Sequence, residues 1–218
     1  WAGLSLVVLT AAEIAIVLSA DSPLDAWIAP IRFGAAATTL APGMALLGAK
    51  RPQDRGWQFI VATLVAILVL PVGEWFLHGR GQAFEIYTVW RWFLAILLVV
   101  GLTNYLPTRY WLSALLAAAG QFLLLSGQLP IVSLPLGGNA AVSAAMATFA
   151  ASIALATFGL PSGRRGRTPF DQTWIDFRDQ FGAVWGLRVQ ERINASAAMY
   201  EWPFRLTWTG LESLDEQP

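Results

Sequence analysis

The fold of this chain is decided by the stretch from Tyr110 to Gly163, which reads YWLSALLAAAGQFLLLSGQLPIVSLPLGGNAAVSAAMATFAASIALATFGLPSG. These 54 residues contain no Asp, Glu, Lys, Arg or His. A helix needs about 20 apolar residues to cross the hydrocarbon core of a bilayer, so the stretch holds two spans. The Pro- and Gly-containing sequence between Gly127 and Asn139 separates them. The chain is therefore predicted to be an integral membrane protein.

The composition of the whole chain agrees with this class. Hydrophobic residues make up 56% of the 218 residues and charged residues 13%, whereas soluble domains carry about 25% charged residues. The formal net charge of zero argues against a nucleic-acid partner, because phosphate binding needs a basic surface. The chain has no Cys and a single His, which excludes disulfides, Cys-ligated zinc, iron–sulfur clusters and a bis-His haem within it.

The apolar pattern on either side of this stretch predicts an all-α fold, a polytopic membrane helical bundle of about six transmembrane helices. The predicted spans cover residues 1–20, 33–49, 57–77, 92–107, 110–127 and 140–160, within a bundle of residues 1–163. In the sixth span small residues recur at every fourth position, namely Ala140, Ala144, Thr148, Ser152 and Ala156. Small residues at this spacing let helix backbones approach closely, so this stripe is predicted to pack inside the bundle.

The distribution of Lys and Arg between the loops predicts the orientation. Seven of these residues fall on one side of the predicted membrane and three on the other. The positive-inside rule places the richer side in the cytoplasm, with both termini there, and we expect a bacterial plasma (inner) membrane. The seven are Lys50, Arg51, Arg55, Arg109, Arg164, Arg165 and Arg167, and the three are Arg32, Arg80 and Arg91.

Residues 164–218 are predicted to form a C-terminal amphipathic cytoplasmic helix followed by a short extended tail. Thr168 and Pro169 suit the cap and first residue of a helix. The alternation of Phe204, Leu206 and Trp208 is typical of an extended segment, whereas the chain from residue 211 onward is expected to be a solvated acidic end. An aromatic face at helical spacing, with Asp171, Asp176, Arg178 and Asp179 on the polar positions, is predicted to dock on protein. The docking residues are Phe170, Trp174, Phe177, Phe181 and Trp208.

Glu13 lies near the middle of the first predicted span. An acid at that depth is costly and marks a proton or ion site in many membrane proteins. The alternative is that a neighbouring helix supplies a partner and that Glu13 serves packing. Asn104 and Gln121, in or near the fourth and fifth spans, are predicted to form hydrogen bonds between helices.

Glu74 and His78 are four residues apart and share a helical face at the outer end of the third span. Such a pair is suited to contact an ion, a proton or a cofactor headgroup, and His78 is the chain's one candidate axial ligand for a haem or chlorophyll held against a partner. Most metal sites need at least three protein ligands, and only Glu85 lies nearby, so no metal site is predicted. An interfacial pairing with Arg80 or Arg91 is the favoured alternative. The sequence leaves the identity of any cofactor open.

The sequence contains no P-loop, His-Glu-x-x-His, Gly-x-Ser-x-Gly or Gly-x-Gly-x-x-Gly motif, which favours a non-catalytic role over an enzymatic one. The leading hypothesis is a membrane subunit that scaffolds or regulates a larger complex, with lipid and other membrane protein subunits as its partners. The alternative is a small permease or a proton- or ion-coupled carrier that uses Glu13. An enzyme acting on lipid-linked substrates ranks third.

Overall fold

The computed structural model describes residues 2–18, 25–47, 55–78, 83–130, 138–159 and 168–214, and most of these are helical. The chain divides into two compact units. The first unit comprises Trp1–Gly101 and Leu116–Ala150, and the second comprises Leu102–Leu115 and Ala151–Pro218. The helices are α1 (Ala2–Leu18), α2 (Asp25–Thr38), α3 (Ala41–Leu47), α4 (Arg55–His78), α5 (Thr88–Tyr105), α6 (Trp111–Leu125), α7 (Gly138–Phe158) and α8 (Pro169–Met199). The strands are β1 (Phe204–Leu206) and β2 (Leu211–Ser213).

Within the described residues, four helical segments are long and apolar enough to cross a membrane. They are Gly56–His78, Thr88–Tyr105, Trp111–Gln128 and Asn139–Phe158, which overlap the third to sixth predicted spans. Helix α1 is also apolar but has 17 residues. The four helices support the integral membrane class, whereas the count of six spans stays a prediction. Six of the basic residues behind the predicted orientation lie outside the described residues, namely Lys50, Arg51, Arg80, Arg164, Arg165 and Arg167.

The second predicted span differs from the structure, because residues 33–47 do not form one helix. Helix α2 ends at Thr38 and α3 begins at Ala41. The Thr39 hydroxyl donates to the Ala36 carbonyl at 2.6 Å, and the Gln121 side chain donates to the Thr39 carbonyl at 2.8 Å. Pro42 then occupies the first turn of α3, where its missing N–H breaks no helical hydrogen bond. The Gln121 bond is one of the interhelical contacts that the sequence predicts.

In the first unit, α2 packs against α1 and α4, and α3 packs against α4. Small side chains permit this, since Ala35, Ala36 and Ala37 are all buried. The main apolar core is formed by Phe33, Ala36, Ala37, Leu40, Ala41, Met44, Leu68, Ile86, Leu94 and Leu125.

Helix α7 buries the predicted stripe only in part. Ser152 of that stripe is buried, whereas Ala141, Ala145 and Phe149 are buried in place of the neighbouring Ala140, Ala144 and Thr148. The reason is the close approach of α6, where a Cβ added at Gly120 would lie 2.7 Å from Thr148 Oγ1 and 3.1 Å from the Phe149 ring.

The second unit is built on α8 and a β-hairpin. Strands β1 and β2 are antiparallel, so the segment expected to be a solvated acidic end instead begins with a paired strand. Trp174 and Ile175 of α8 form a small core with Leu206 of β1. The Asn194 side chain fixes the strand further, because its amide nitrogen donates to the Leu206 carbonyl at 2.9 Å and its oxygen accepts from Leu206 N at 2.7 Å.

Candidate functional site

The acid predicted inside the first span has a basic partner on the next helix. Arg32 of α2 holds Glu13 of α1 in a two-point ion pair, with Nε to Oε1 and Nη2 to Oε2 both at 3.0 Å. The exposed fractions of the two side chains are 15% for Glu13 and 23% for Arg32. Arg32 Nη2 also donates to Asn139 Oδ1 at 2.7 Å. Because Asn139 begins the candidate span Asn139–Phe158, the pair lies beside the N-terminal end of that helix.

The two residues predicted to contact an ion or a cofactor, Glu74 and His78, lie at a cavity of about 550 Å³ at the C-terminal end of α4. Glu74 and His78 line it together with Glu85, Tyr87 and Trp75. The Tyr87 hydroxyl donates to Glu74 Oε1 at 2.9 Å. This hydrogen bond and the Glu74 charge raise the pKa of the Tyr87 phenol above 10.0, because both favour the protonated form.

Neither Glu13 nor the pair of Glu74 and His78 lies in a metal site among the described residues. Among the residues that the structure describes, no group of three or more His, Asp or Glu side chains is placed to hold a metal ion. Arg80, one of the two proposed ion-pair partners of Glu74, lies outside the described residues. The other, Arg91, donates through Nε to the Ile86 carbonyl at 3.3 Å.

The five predicted docking residues occupy different environments in the second unit. Trp174 is buried against the chain's own hairpin, and its indole N–H donates to the Thr207 carbonyl at 3.0 Å. Phe177 and Phe181 are half-buried and in ring contact with each other, with centroids 4.8 Å apart. Phe170 is exposed. Trp208 is half-buried, and its ring lies under the Arg178 guanidinium at 4.8 Å.

The buried face of α8 is shifted by one residue from the predicted aromatic face. Asp171, Arg178 and Asp179, which the sequence places on the polar face, are buried. Arg178 donates to Asp179 Oδ1 from Nε at 3.0 Å and Nη2 at 2.7 Å, and its Nη1 donates to the Trp208 carbonyl at 2.6 Å. Hydropathy periodicity assigns charged residues to solvent, so it missed this pair. The adjacent opposite charges at 178 and 179 were the available signal.

A second cation closes this cluster. Arg109, between α5 and α6, donates from Nη1 to Asp176 Oδ1 at 3.1 Å. Its Nε lies 3.9 Å from Asp179 Oδ2, an ion pair too long for a hydrogen bond. Arg109 Nη2 also donates to the Tyr110 hydroxyl at 2.8 Å. The cluster therefore balances two guanidinium groups against two carboxylates, which is the arrangement of a structural network rather than of an anion site.

A column of three aromatic rings follows α8 and was not predicted as a site. Tyr200 stacks on Trp202 with ring centroids 5.7 Å apart, and Trp202 stacks on Phe204 at 5.3 Å. The exposed fractions of Tyr200 and Trp202 are 65% and 42%, and Met199 beside them is also exposed. The sequence signal was the spacing of two between these rings, although the chain turns at Tyr200 and Glu201 and becomes a strand only at Phe204.

Taken together, the fold and these sites describe an integral membrane protein with four candidate spans among its described residues and a second unit built on a kinked helix and a hairpin. No family model matches the chain, and no match was found among curated proteins or solved structures.

Proposed function

We propose that this protein is a non-catalytic membrane subunit that scaffolds or regulates a larger membrane protein complex. The observation that supports this proposal is the aromatic column of Tyr200, Trp202 and Phe204, in which the first two rings are exposed and Phe204 is half-buried. The second unit already has a core of its own around Trp174, so these rings are not needed to complete that core. Aromatic side chains exposed on a folded module are typical of protein interfaces, where Tyr, Trp and Phe are enriched.

The polar groups of the apolar helices give a second line of support. Glu13 is paired with Arg32, and Gln121 bonds the Thr39 carbonyl. The Ser113 and Ser152 hydroxyls are buried 3.0 Å apart, and each also lies 2.8 Å from the other residue's carbonyl oxygen. Side chains bonded to one another in this way hold helices together, which suits a scaffold.

The experiment is extraction from the native membrane in mild detergent followed by sizing and identification of co-purifying chains. The wild type is expected in a particle larger than its own 23.7 kDa with other polypeptides present. Tyr200→Ala with Trp202→Ala is expected to release those polypeptides. Leu187→Ala, which removes an exposed apolar side chain of α8 outside the column, is the matched control and is expected to retain them.

Two results would count against the scaffold proposal. One is a wild-type chain that extracts as a lone monomer. The other is a Tyr200→Ala, Trp202→Ala variant that keeps every partner. Phe170→Ala separates the predicted docking face from the column, because Phe170 is the exposed member of the predicted set. If only the Phe170→Ala variant loses its partners, the interface lies at the start of α8 and not at the aromatic column.

The carrier hypothesis with Glu13 as coupling acid remains the second candidate. The two-point pairing of Glu13 with Arg32 weighs against it, because a coupling acid must exchange its proton or ion during transport. Solute flux in proteoliposomes that Glu13→Gln abolishes would raise this candidate above the scaffold.

For the membrane and orientation, we propose a bacterial plasma membrane with both termini in the cytoplasm, on the charge bias of the loops. The Cys-free chain makes single-cysteine labelling clean. Cysteine at Arg51 or Arg165 is expected to react only from the cytoplasmic side, and cysteine at Gly79 only from the outside. Labelling of position 165 from outside would reverse the orientation.

A further inference from the structure

The cavity at the C-terminal end of α4 has the volume of a small-molecule site. Its volume of about 550 Å³ falls within the range of roughly 300–1,000 Å³ that such sites occupy, and it exceeds the cavity of about 230 Å³ in the second unit. The side chains that matter for binding are Glu74, Trp75, His78, Glu85 and Tyr87.

The charge of the lining selects the sign of the ligand. Glu74 and Glu85 line the cavity and are exposed, and the described lining residues include no Lys or Arg. The two carboxylates make the charge of these described residues negative, and a negative lining attracts a cation.

The aromatic members select an organic cation over a metal ion. Trp75 and Tyr87 line the same cavity as the carboxylates, and the faces of such rings attract ammonium groups. Trp75 is held in place by an edge-to-face contact with Trp27, with ring centroids 5.3 Å apart. The described residues form no three-ligand metal cluster, and a bare ion would leave most of the cavity unfilled.

We infer that this cavity binds a small organic ammonium ion, with Glu74 and Glu85 as counter-charges and Trp75 and Tyr87 as the aromatic wall. Tyr87 also orients Glu74, because its hydroxyl donates to Glu74 Oε1 at 2.9 Å. The same chemistry is presented by a free amine and by the ethanolamine or choline headgroup of a lipid. This inference is independent of the scaffold role.

The test is equilibrium binding of labelled choline and labelled ethanolamine to the full chain in nanodiscs of phosphatidylglycerol. Saturable binding of at least one probe is expected, and the uncharged isostere of choline, 3,3-dimethylbutan-1-ol, is expected not to compete. Glu74→Gln and Glu85→Gln should each weaken binding about tenfold, since each removes one charged contact. Glu201→Gln, which removes an exposed carboxylate of the second unit, is the matched control and should bind as wild type does.

Nanodiscs of phosphatidylcholine distinguish the two sources of the ligand. Choline binding that disappears in them assigns the site to lipid headgroups, and binding that persists assigns it to a free amine. Absence of saturable binding of both probes, or binding that neither Glu→Gln variant weakens, overturns the inference. Circular dichroism of each variant in the same nanodiscs checks that the helices are retained.

Discussion

The carboxylate of Asp171 joins the beginning of α8 to the hairpin, because its Oδ1 accepts a hydrogen bond from Leu211 N at 2.8 Å. Its Oδ2 accepts from Thr168 N at 3.0 Å, and the Thr168 hydroxyl accepts from Asp171 N at 3.1 Å, which completes a capping box. A Cβ at Gly210, which has φ 145°, would collide with this carboxylate. One buried acid therefore fixes both the helix end and the strand that returns to it.

Replacing Asp171 by Ala is expected to destabilise the second unit by about 2 kcal/mol, since it removes a helix cap and leaves Leu211 N without its acceptor. The measurement is chemical unfolding of the detergent-solubilised chain followed by tryptophan fluorescence. Asp176→Ala is the control, because Asp176 lies on the same helix, is half-exposed and forms an ion pair expected to contribute less than about 1 kcal/mol. Equal effects of the two variants would contradict this account of Asp171.

The buried Arg178–Asp179 pair predicts a non-additive pair of substitutions. Both side chains are 1% exposed, so Arg178→Met leaves the buried Asp179 carboxylate with only the Arg109 guanidinium, 3.9 Å away, and should cost about 3 kcal/mol of unfolding free energy. Adding Asp179→Leu should recover part of that loss, because the buried carboxylate is removed as well. Arg188→Met, an exposed Arg on the same helix, is the matched control. A double variant as unstable as the sum of the singles would show that the charges act independently.

The kink of α8 at Gly182 predicts a requirement for glycine. Its φ of 81° and ψ of −175° lie in a region that side chains rarely adopt, and a Cβ there would collide with the Asn104 amide. Asn104 occupies this space because its Oδ1 accepts from Val184 N at 2.9 Å. Gly182→Ala should therefore cost about 1–3 kcal/mol from backbone strain, with the collision in addition.

The contribution of the collision is measured by repeating Gly182→Ala in an Asn104→Ala background. The substitution should cost less there than in the wild type, because the amide that it strikes is gone. Equal costs in both backgrounds would assign the whole effect to the backbone. Gly43→Ala is the control, since a Cβ at that position meets nothing within 4 Å.

The Glu13–Arg32 pair predicts how substitutions at these two positions change the thermal stability of the chain. Arg32→Gln leaves a largely buried carboxylate without its counter-charge, which should lower the thermal midpoint of the solubilised chain by an amount equivalent to about 2 kcal/mol. The double variant Glu13→Gln, Arg32→Gln should recover much of the lost thermal stability, because two neutral amides replace two charges. A double variant no more stable than Arg32→Gln would contradict this structural account of the pair.

The bond from Tyr87 to Glu74 predicts a pH dependence in the alkaline range. Because the folded-state pKa of Tyr87 is raised above 10.0, its stabilising effect is complete below the ordinary value and is lost as the pH rises through the folded-state pKa. Glu74→Gln should lower the Tyr87 pKa toward 10.0, since the neighbouring charge is removed. The measurement is phenolate absorbance, with Tyr87→Phe subtracted to isolate this residue. A Tyr87 titration unchanged by Glu74→Gln would contradict the contact.

The membrane class was predictable from the sequence because hydropathy is a sum over consecutive residues. It does not depend on which other residues the fold brings into contact. An uncharged run such as 110–163 has few alternatives to crossing a bilayer, and the structure has two candidate spans there. The Thr168-Pro169 pair likewise carries a local signal for the helix start, since capping depends on adjacent residues alone.

Which side of each helix is buried was decided only by the tertiary structure. On α7, Phe149 is buried beside the predicted Thr148 because Gly120 on α6 lets both approach, and a single-helix pattern contains no information on that neighbour. The Pro42-Gly43 pair was visible in the sequence, but the break at Thr39 also depends on the distant Gln121 side chain.

The pairing of charges depended most on the tertiary structure. Sequence alone identified Glu13 and Glu74 as unusual, because acids are rare near apolar spans, but it could not find Arg32 19 positions away or the phenol of Tyr87. Periodicity similarly placed Arg178 and Asp179 in solvent, although the hairpin buries both. Hydropathy is a property of single residues, whereas the cost of burying a charge is set by the partner that folding brings to it.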